Sequence, residues 1–140
     1  MKNRIFSAIL TLLLGTGFAL ATVQAQAGET KVELSGAQEN PPVTTAATGT
    51  AIVTINDDMT VSVKVTTTGI AGTASHIHMA PAGQNGPVIV PFAKNADGFA
   101  SAPGAKLTEA QYAAYKAGNL YVNVHSAANP SGEIRGQIKP

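Results

Sequence analysis

The feature that most constrains this chain is a twenty-residue stretch with a strict two-residue period. Over residues 49–68, Ala51, Val53 and Ile55 alternate with Thr50, Ile52 and Thr54. Asn56-Asp57-Asp58-Met59 interrupts the pattern, and Val61, Val63 and Val65 then alternate with Ser62, Lys64 and Thr66. Successive side chains on a strand point to opposite faces, so the pattern predicts an antiparallel hairpin with one apolar face and a polar turn.

The same reading extends along the chain. Residues 31–35 form a first strand. Residues 36–42 form a loop, because Pro41-Pro42 cannot sit in a ladder. Residues 75–79 and 88–92 are further strands around a turn at 80–87. Pro91 lacks an N–H donor, which places the 88–92 strand at an edge. Thr108 and Gln111 have capping-box spacing, Leu107, Tyr112 and Tyr115 offer apolar contacts, and Gly118 marks a stop. A short helix over 108–117, laid across one end of the sheets, follows. Two strands close the chain, 120–126 and 133–139, joined by a loop at 127–132. In the last strand Ile134, Gly136 and Ile138 share one face, and Glu133, Arg135 and Gln137 the other. Seven or eight short strands at this spacing predict an all-β fold, a Greek-key β-sandwich or small barrel.

The first residues read as a targeting segment. Lys2 and Arg4 supply a positive start, residues 5–21 an apolar run, and Ala25-Gln26-Ala27 a small-x-small cleavage site. Cleavage after Ala27 is expected, giving a signal peptide of residues 1–27 and a single domain of residues 28–140. That places the protein in the periplasm or outside the cell, with no membrane span after cleavage. No cysteine is present to take a lipid anchor or form a disulfide. Without Lys2 and Arg4, seven basic residues face eight acidic ones. No basic stripe exists, so nucleic acid and anionic membrane surfaces are not expected partners.

The chain has three histidines. His76 and His78 share one face of the 75–79 strand, and Ile77 takes the other. On the 120–126 strand Val122 and Val124 share a face, and Tyr121, Asn123 and His125 the opposite one. With the valines and Ile77 in the core, all three imidazoles face outward, and they meet if the strands are neighbours. Side chains two positions apart on a strand start roughly 6.5 Å apart, and imidazoles converge from there onto an ion at ~2.0–2.1 Å. His76, His78 and His125 are therefore the candidate metal ligands, with copper expected ahead of zinc. Because ligands must be deprotonated, affinity is expected to collapse near the ordinary imidazole pKa of ~6.5. Asn123 shares the His125 face and is placed to hydrogen-bond a ligand imidazole. Met79 alternates away from that face, toward the core. Arg135 is weighed as a group steering anions toward the histidines, against an ion pair with Glu133 or an exposed polar face. Gln38 and Glu39, in the Pro-Pro loop, have either a binding role or turn-forming and capping roles. The Gly83–Pro87 segment lacks the strand–loop–helix setting of a phosphate cradle, no serine nucleophile motif is present, and the carboxylates are too scattered for an acid–base pair.

Gln38-Glu39-Asn40-Pro41-Pro42, His76-Ile77-His78 followed by Gly83 to Val88, Tyr121-Val122-Asn123-Val124-His125-Ser126 and Gly132-Glu133-Ile134-Arg135-Gly136-Gln137-Ile138 occur in that order. This series resembles the CHRD domain, the module named after chordin and also found alone in bacterial secreted proteins. The resemblance runs over about residues 31–138. It implies an immunoglobulin-like β-barrel with limited similarity to copper/zinc superoxide dismutases, and no agreed biochemical activity. Dismutases hold copper with a His-x-His pair and a later histidine on a Val-His strand, which His76, His78 and His125 match in order. The chain departs from them in having no fourth histidine to bridge copper to zinc, no histidine between Met79 and Leu120 and hence not their zinc ligand set, and no disulfide. Arg135 lies near the place of their C-terminal arginine. Three functional expectations follow: a metal-binding module of copper type, a metal-free domain that binds a protein or glycan, and a dismutase-like redox enzyme.

Overall fold

The structure, a computed structural model, describes residues 28–140. The expected signal peptide, residues 1–27, lies outside the described residues. The two-residue alternation becomes eight strands: β1 (Glu29–Ser35), β2 (Thr48–Ile55), β3 (Val61–Thr68), β4 (Gly72–Met79), β5 (Val88–Lys94), β6 (Gly98–Ser101), β7 (Leu120–Ser126) and β8 (Ile134–Ile138). One helix, α1 (Glu109–Lys116), lies between β6 and β7, and a 3-10 turn at Gly36–Gln38 follows β1. The strands close into a barrel in the order β1-β2-β3-β6-β5-β4-β7-β8, with β8 returning to β1. Every pairing is antiparallel. The β3–β4 and β6–β7 connections each pass over two strands, the Greek-key arrangement expected of this strand spacing.

Alternation fills the barrel. Ala51, Val53 and Ile55 of β2 stand opposite Val65, Val63 and Val61 of β3, so branched side chains meet directly across the ladder. Ile77, Val90, Phe99, Leu120, Val122, Val124, Ile134 and Ile138 complete the buried interior. Burying side chains of this size contributes about 1.5–3 kcal/mol each, the main favourable term in a fold without disulfides.

The helix seals one end. Its predicted capping box is present: Thr108 Oγ1 accepts from the Gln111 amide at 3.2 Å, and the Thr108 amide donates to Gln111 Oε1 at 2.9 Å. Leu107 is buried and its amide donates to the Met59 carbonyl, while the Tyr112 hydroxyl donates to Asp57. The helix thus sits over the β2–β3 turn. The Gly118 amide donates to the Tyr115 carbonyl at 2.8 Å and ends the helix where the sequence predicts. Among the described residues, no helix is long and apolar enough to cross a membrane.

Two expectations change. β5 is not an edge strand, because it pairs with β4 on one side and β6 on the other. β6 is short, and its ladder with β5 runs only from Phe92 to Lys94. Pro91 therefore lies one residue outside that ladder, while it stands opposite His76 in the ladder with β4. β6 itself is absent from the sequence reading, since four residues are too few to display alternation.

Closure of the barrel depends on a glycine. β8 meets β1 at Ser35 and Arg135, and Gly136 lies against β1. A Cβ at Gly136 would stand 2.5 Å from the Glu33 carbonyl oxygen and 2.6 Å from Val32 Cγ1. Both are parts of a strand that cannot retreat without opening the seam. Gly136→Ala is therefore expected to lower stability by about 1–3 kcal/mol in urea denaturation. A variant as stable as the parent would show that the seam is looser than this packing implies.

Candidate metal centre

The outward face of β4, β7 and β8 is not a solvent face. The 80–87 turn, the Pro-Pro loop and the 127–132 loop cover it. His78, Tyr121, Asn123 and Arg135 are all buried there, Arg135 to 1% exposure. The barrel thus carries a second, polar layer on one side, and the histidines lie in it.

Register brings the histidines together. β4 and β7 are neighbours, with Asn123 opposite His76, Tyr121 opposite His78 and His125 opposite Ala74. His125 is therefore diagonal to His76, within reach of a long side chain. His76 Nδ1 and His125 Nε2 lie 3.2 Å apart. The ring centroids of His76 are 5.4 Å from His78 and 4.9 Å from His125. One ligand atom from each of His76, His78 and His125 falls within 4.8 Å of the others. Three nitrogens at ~2.0–2.1 Å from one ion stand roughly 3.3–3.6 Å apart, so small ring rotations close the set.

Backbone carbonyls select the tautomers. His78 Nδ1 lies 2.9 Å from the Gly86 carbonyl oxygen, and His125 Nδ1 lies 2.8 Å from that of Pro130. A carbonyl only accepts, so both rings carry their proton on Nδ1 and present a lone pair at Nε2. His78 Nε2 is buried and has no hydrogen-bond partner. An orphaned, buried lone pair beside two more imidazoles fits a ligand set and is a costly arrangement without one. The Gly86 carbonyl reaches His78 because residue 86 is glycine: a Cβ there would overlap the Met79 carbonyl.

Burial sets the protonation. Desolvation, with the nearby His125 and His78 rings, lowers the His76 pKa to about 4. Desolvation also holds His78 below its ordinary value. Proton competition at these two ligands therefore falls below the pH expected for an unperturbed imidazole, because the ion would enter a site that already rejects a proton's charge.

Other predicted residues find different places. Asn123 is buried beside the ligands as expected, between His78 and the Glu39 carboxyl. Asn123 Oδ1 and Glu39 Oε1 are, like His78 Nε2, buried and without hydrogen-bond partners. Met79 packs toward the core, away from the histidines. Arg135 is not an exposed steering charge. Its guanidinium lies 3.4 Å over the Tyr121 ring and donates to the carbonyls of Gln84 and Pro81 and to Gln137 Oε1. It has no ion pair with Glu133, which instead accepts from the Thr45 hydroxyl at 2.7 Å and from the Ser126 hydroxyl. Those hydroxyls hold the Glu133 carboxyl below its ordinary range. Gln38 is structural, donating to the Glu33 carbonyl and accepting from the Gln137 amide.

Two site residues gain their roles only in the tertiary structure. Tyr121 stacks on His78 with ring centroids 4.9 Å apart and planes 7° from parallel. Alternation does place it on the histidine face, so a signal existed. For Glu39 the sequence gives only a polar loop position, which leaves binding and capping roles both open, since a loop has no periodicity to aim a side chain.

A family model for the CHRD domain matches residues 30–138. The chain belongs to the CHRD domain family. No curated protein and no solved structure matches it. The match spans all eight strands of this CHRD domain except the first residue of β1.

The tautomers are directly observable. Long-range nitrogen–proton NMR spectra of the metal-free CHRD domain should show His78 and His125 as Nδ1–H tautomers. An Nε2–H tautomer at either would remove the lone pair on which the site depends. Burial also raises the Glu39 pKa to about 7, partly offset by the Arg135 charge. A carboxyl raised in the folded state holds its proton there while the unfolded chain loses it. Its contribution is full below pH 4.5 and is lost as pH rises through about 7. His76 has the opposite sign: its contribution is present above pH 6.5 and is lost as pH falls toward about 4. Between pH 5 and 8 the parent should lose about 1–3 kcal/mol relative to Glu39→Gln, which cannot ionise. Parallel stability curves would place the Glu39 carboxyl in a far wetter setting.

Proposed function

We propose that this CHRD domain is a metal-binding module in which His76, His78 and His125 hold one copper ion. The observation that carries this reading is the buried, unpartnered Nε2 of His78, grouped with ligand atoms of His76 and His125 within 4.8 Å. Three imidazoles suit copper, zinc or nickel, and among divalent ions copper binds such sets tightest, so zinc is the weaker competitor. The Gly86 and Pro130 carbonyls orient His78 and His125, the arrangement that commonly supports metal-ligating histidines. The leader-like start of the sequence supports action in the periplasm or outside the cell. The proposal is one of binding. With three histidines and no cysteine, the chain lacks the residues for a second, bridged zinc site of the dismutase kind.

The test is a copper and zinc titration of untagged protein beginning at Gly28, beside a variant carrying His76→Ala, His78→Ala and His125→Ala. The parent should bind one equivalent of copper, more tightly than zinc. The variant should lose that equivalent while keeping a β-sheet circular dichroism spectrum. A second pair, His76→Gln and His125→Gln, keeps polar side chains in place and should weaken binding at least about tenfold each, the lower end of what lesser changes around metal ligands cost. Absence of stoichiometric binding by the parent would sink the metal reading and leave a domain that acts through its loops.

A further inference from the structure

The groups around the three histidines say which charge state of the metal the site suits. The candidate ligand group consists of His76, His78 and His125 and contains no carboxylate or thiolate. All three donors are neutral imidazoles. On the β5 side, the residues opposite His76 and His78 are Pro91 and Val88, neither of which offers a ligand or a hydrogen bond from its side chain. Behind His78 the stack continues through Tyr121 to the buried guanidinium of Arg135, a fixed positive charge. Arg135 is the fixed charge of this layer; Glu39, a buried carboxyl beside Asn123, is pushed toward its neutral form by burial and offsets that charge only in part. Glu133 is turned away onto the Thr45 and Ser126 hydroxyls.

Two physical consequences follow. A divalent ion suffers twice the repulsion from Arg135 that a monovalent one does, and its desolvation cost rises with the square of its charge. Cupric ion also takes square-planar or tetragonal coordination. It therefore needs a fourth donor in plane; the group supplies three, and the fourth has to come from solvent. Two of those three rings are tied to backbone carbonyls of separate loops, which limits their swing into a plane. Cuprous ion has a filled d shell, carries one charge and accepts three nitrogens in a trigonal set.

We infer that this site is built to hold copper in its cuprous state, with His76, His78 and His125 as a three-nitrogen cage and Arg135 disfavouring the cupric ion. The inference rests on the metal-binding reading and adds the oxidation state to it.

The experiment is a pair of affinity measurements on untagged protein beginning at Gly28. Cuprous affinity is read anaerobically by competition with a cuprous chelator such as bicinchoninate. Cupric affinity is read by competition with nitrilotriacetate at the same pH. Cuprous binding should be tighter by about a hundredfold or more, as expected when both charge and geometry act in one direction. X-ray absorption of the cuprous protein should show three nitrogen scatterers and no sulfur. Cupric binding of equal or greater strength, with an axial four-coordinate electron paramagnetic resonance signal, would overturn the inference while leaving the metal site standing. A sulfur scatterer would overturn the three-nitrogen cage. Binding of neither ion would overturn the metal reading itself, so the two failures are distinguishable.

Discussion

The polar layer of this protein depends on one buried cation. Arg135 sits on β8 with 1% of its surface exposed, a position that is strongly unfavourable for a charge unless every donor finds an acceptor. Its two terminal nitrogens donate to the carbonyls of Pro81 and Gln84 and to Gln137, and its guanidinium carbon lies 3.4 Å over the Tyr121 ring centroid. Desolvated contacts of a guanidinium with an aromatic face contribute about 2 kcal/mol. The consequence is geometric. The 80–87 loop is drawn over the barrel wall, Tyr121 is pinned, and the Gly86 peptide is held where its amide meets the Tyr121 hydroxyl and its carbonyl meets His78. Removing the guanidinium would release the loop and the ligand together.

The other two covers of the layer follow the same logic. Glu133 joins Thr45, in the segment between the Pro-Pro loop and β2, to Ser126 at the end of β7, and the Ser126 hydroxyl in turn accepts from the Asn129 amide. That clamp shapes the 127–132 loop, whose Pro130 carbonyl orients His125. Each loop therefore contributes a carbonyl or a carboxylate inward, and each is fixed by a charged residue, Arg135 in β8 or Glu133 just before it. The apolar barrel beneath supplies rigidity, since both β4 and β7 turn a valine or isoleucine face into the core and hold the opposite face in register. Histidines placed on strands in this way are located more closely than any loop would place them.

Legibility differed between the two layers for a physical reason. The inner layer follows a period of two, so β2, β3, β7 and β8 and their core residues could be read directly, as could the helix from its Thr108–Gln111 box. β6 was lost because four residues carry no period, and Pro91 pointed to an edge that closure of the barrel removes. The outer layer is made by segments far apart in sequence. Glu39 reaches Asn123 from a loop far upstream in the sequence, and Arg135 reaches the 80–87 loop from the last strand. Reading Glu133 and Arg135 as a pair on one strand face was reasonable from alternation, yet each is satisfied by other partners.

By itself the sequence determined the all-β class, the faces of β2, β3, β4, β7 and β8 that enter the core, and the shared outward face of His76, His78 and His125. Strand periodicity is local, and local information suffices for it. Only the tertiary structure decided that β4 and β7 are neighbours with His125 diagonal to His76, that the outward face is buried, and which ring nitrogens carry protons. Those depend on register, loop closure and carbonyl placement across long separations, and no pattern within a single strand encodes them.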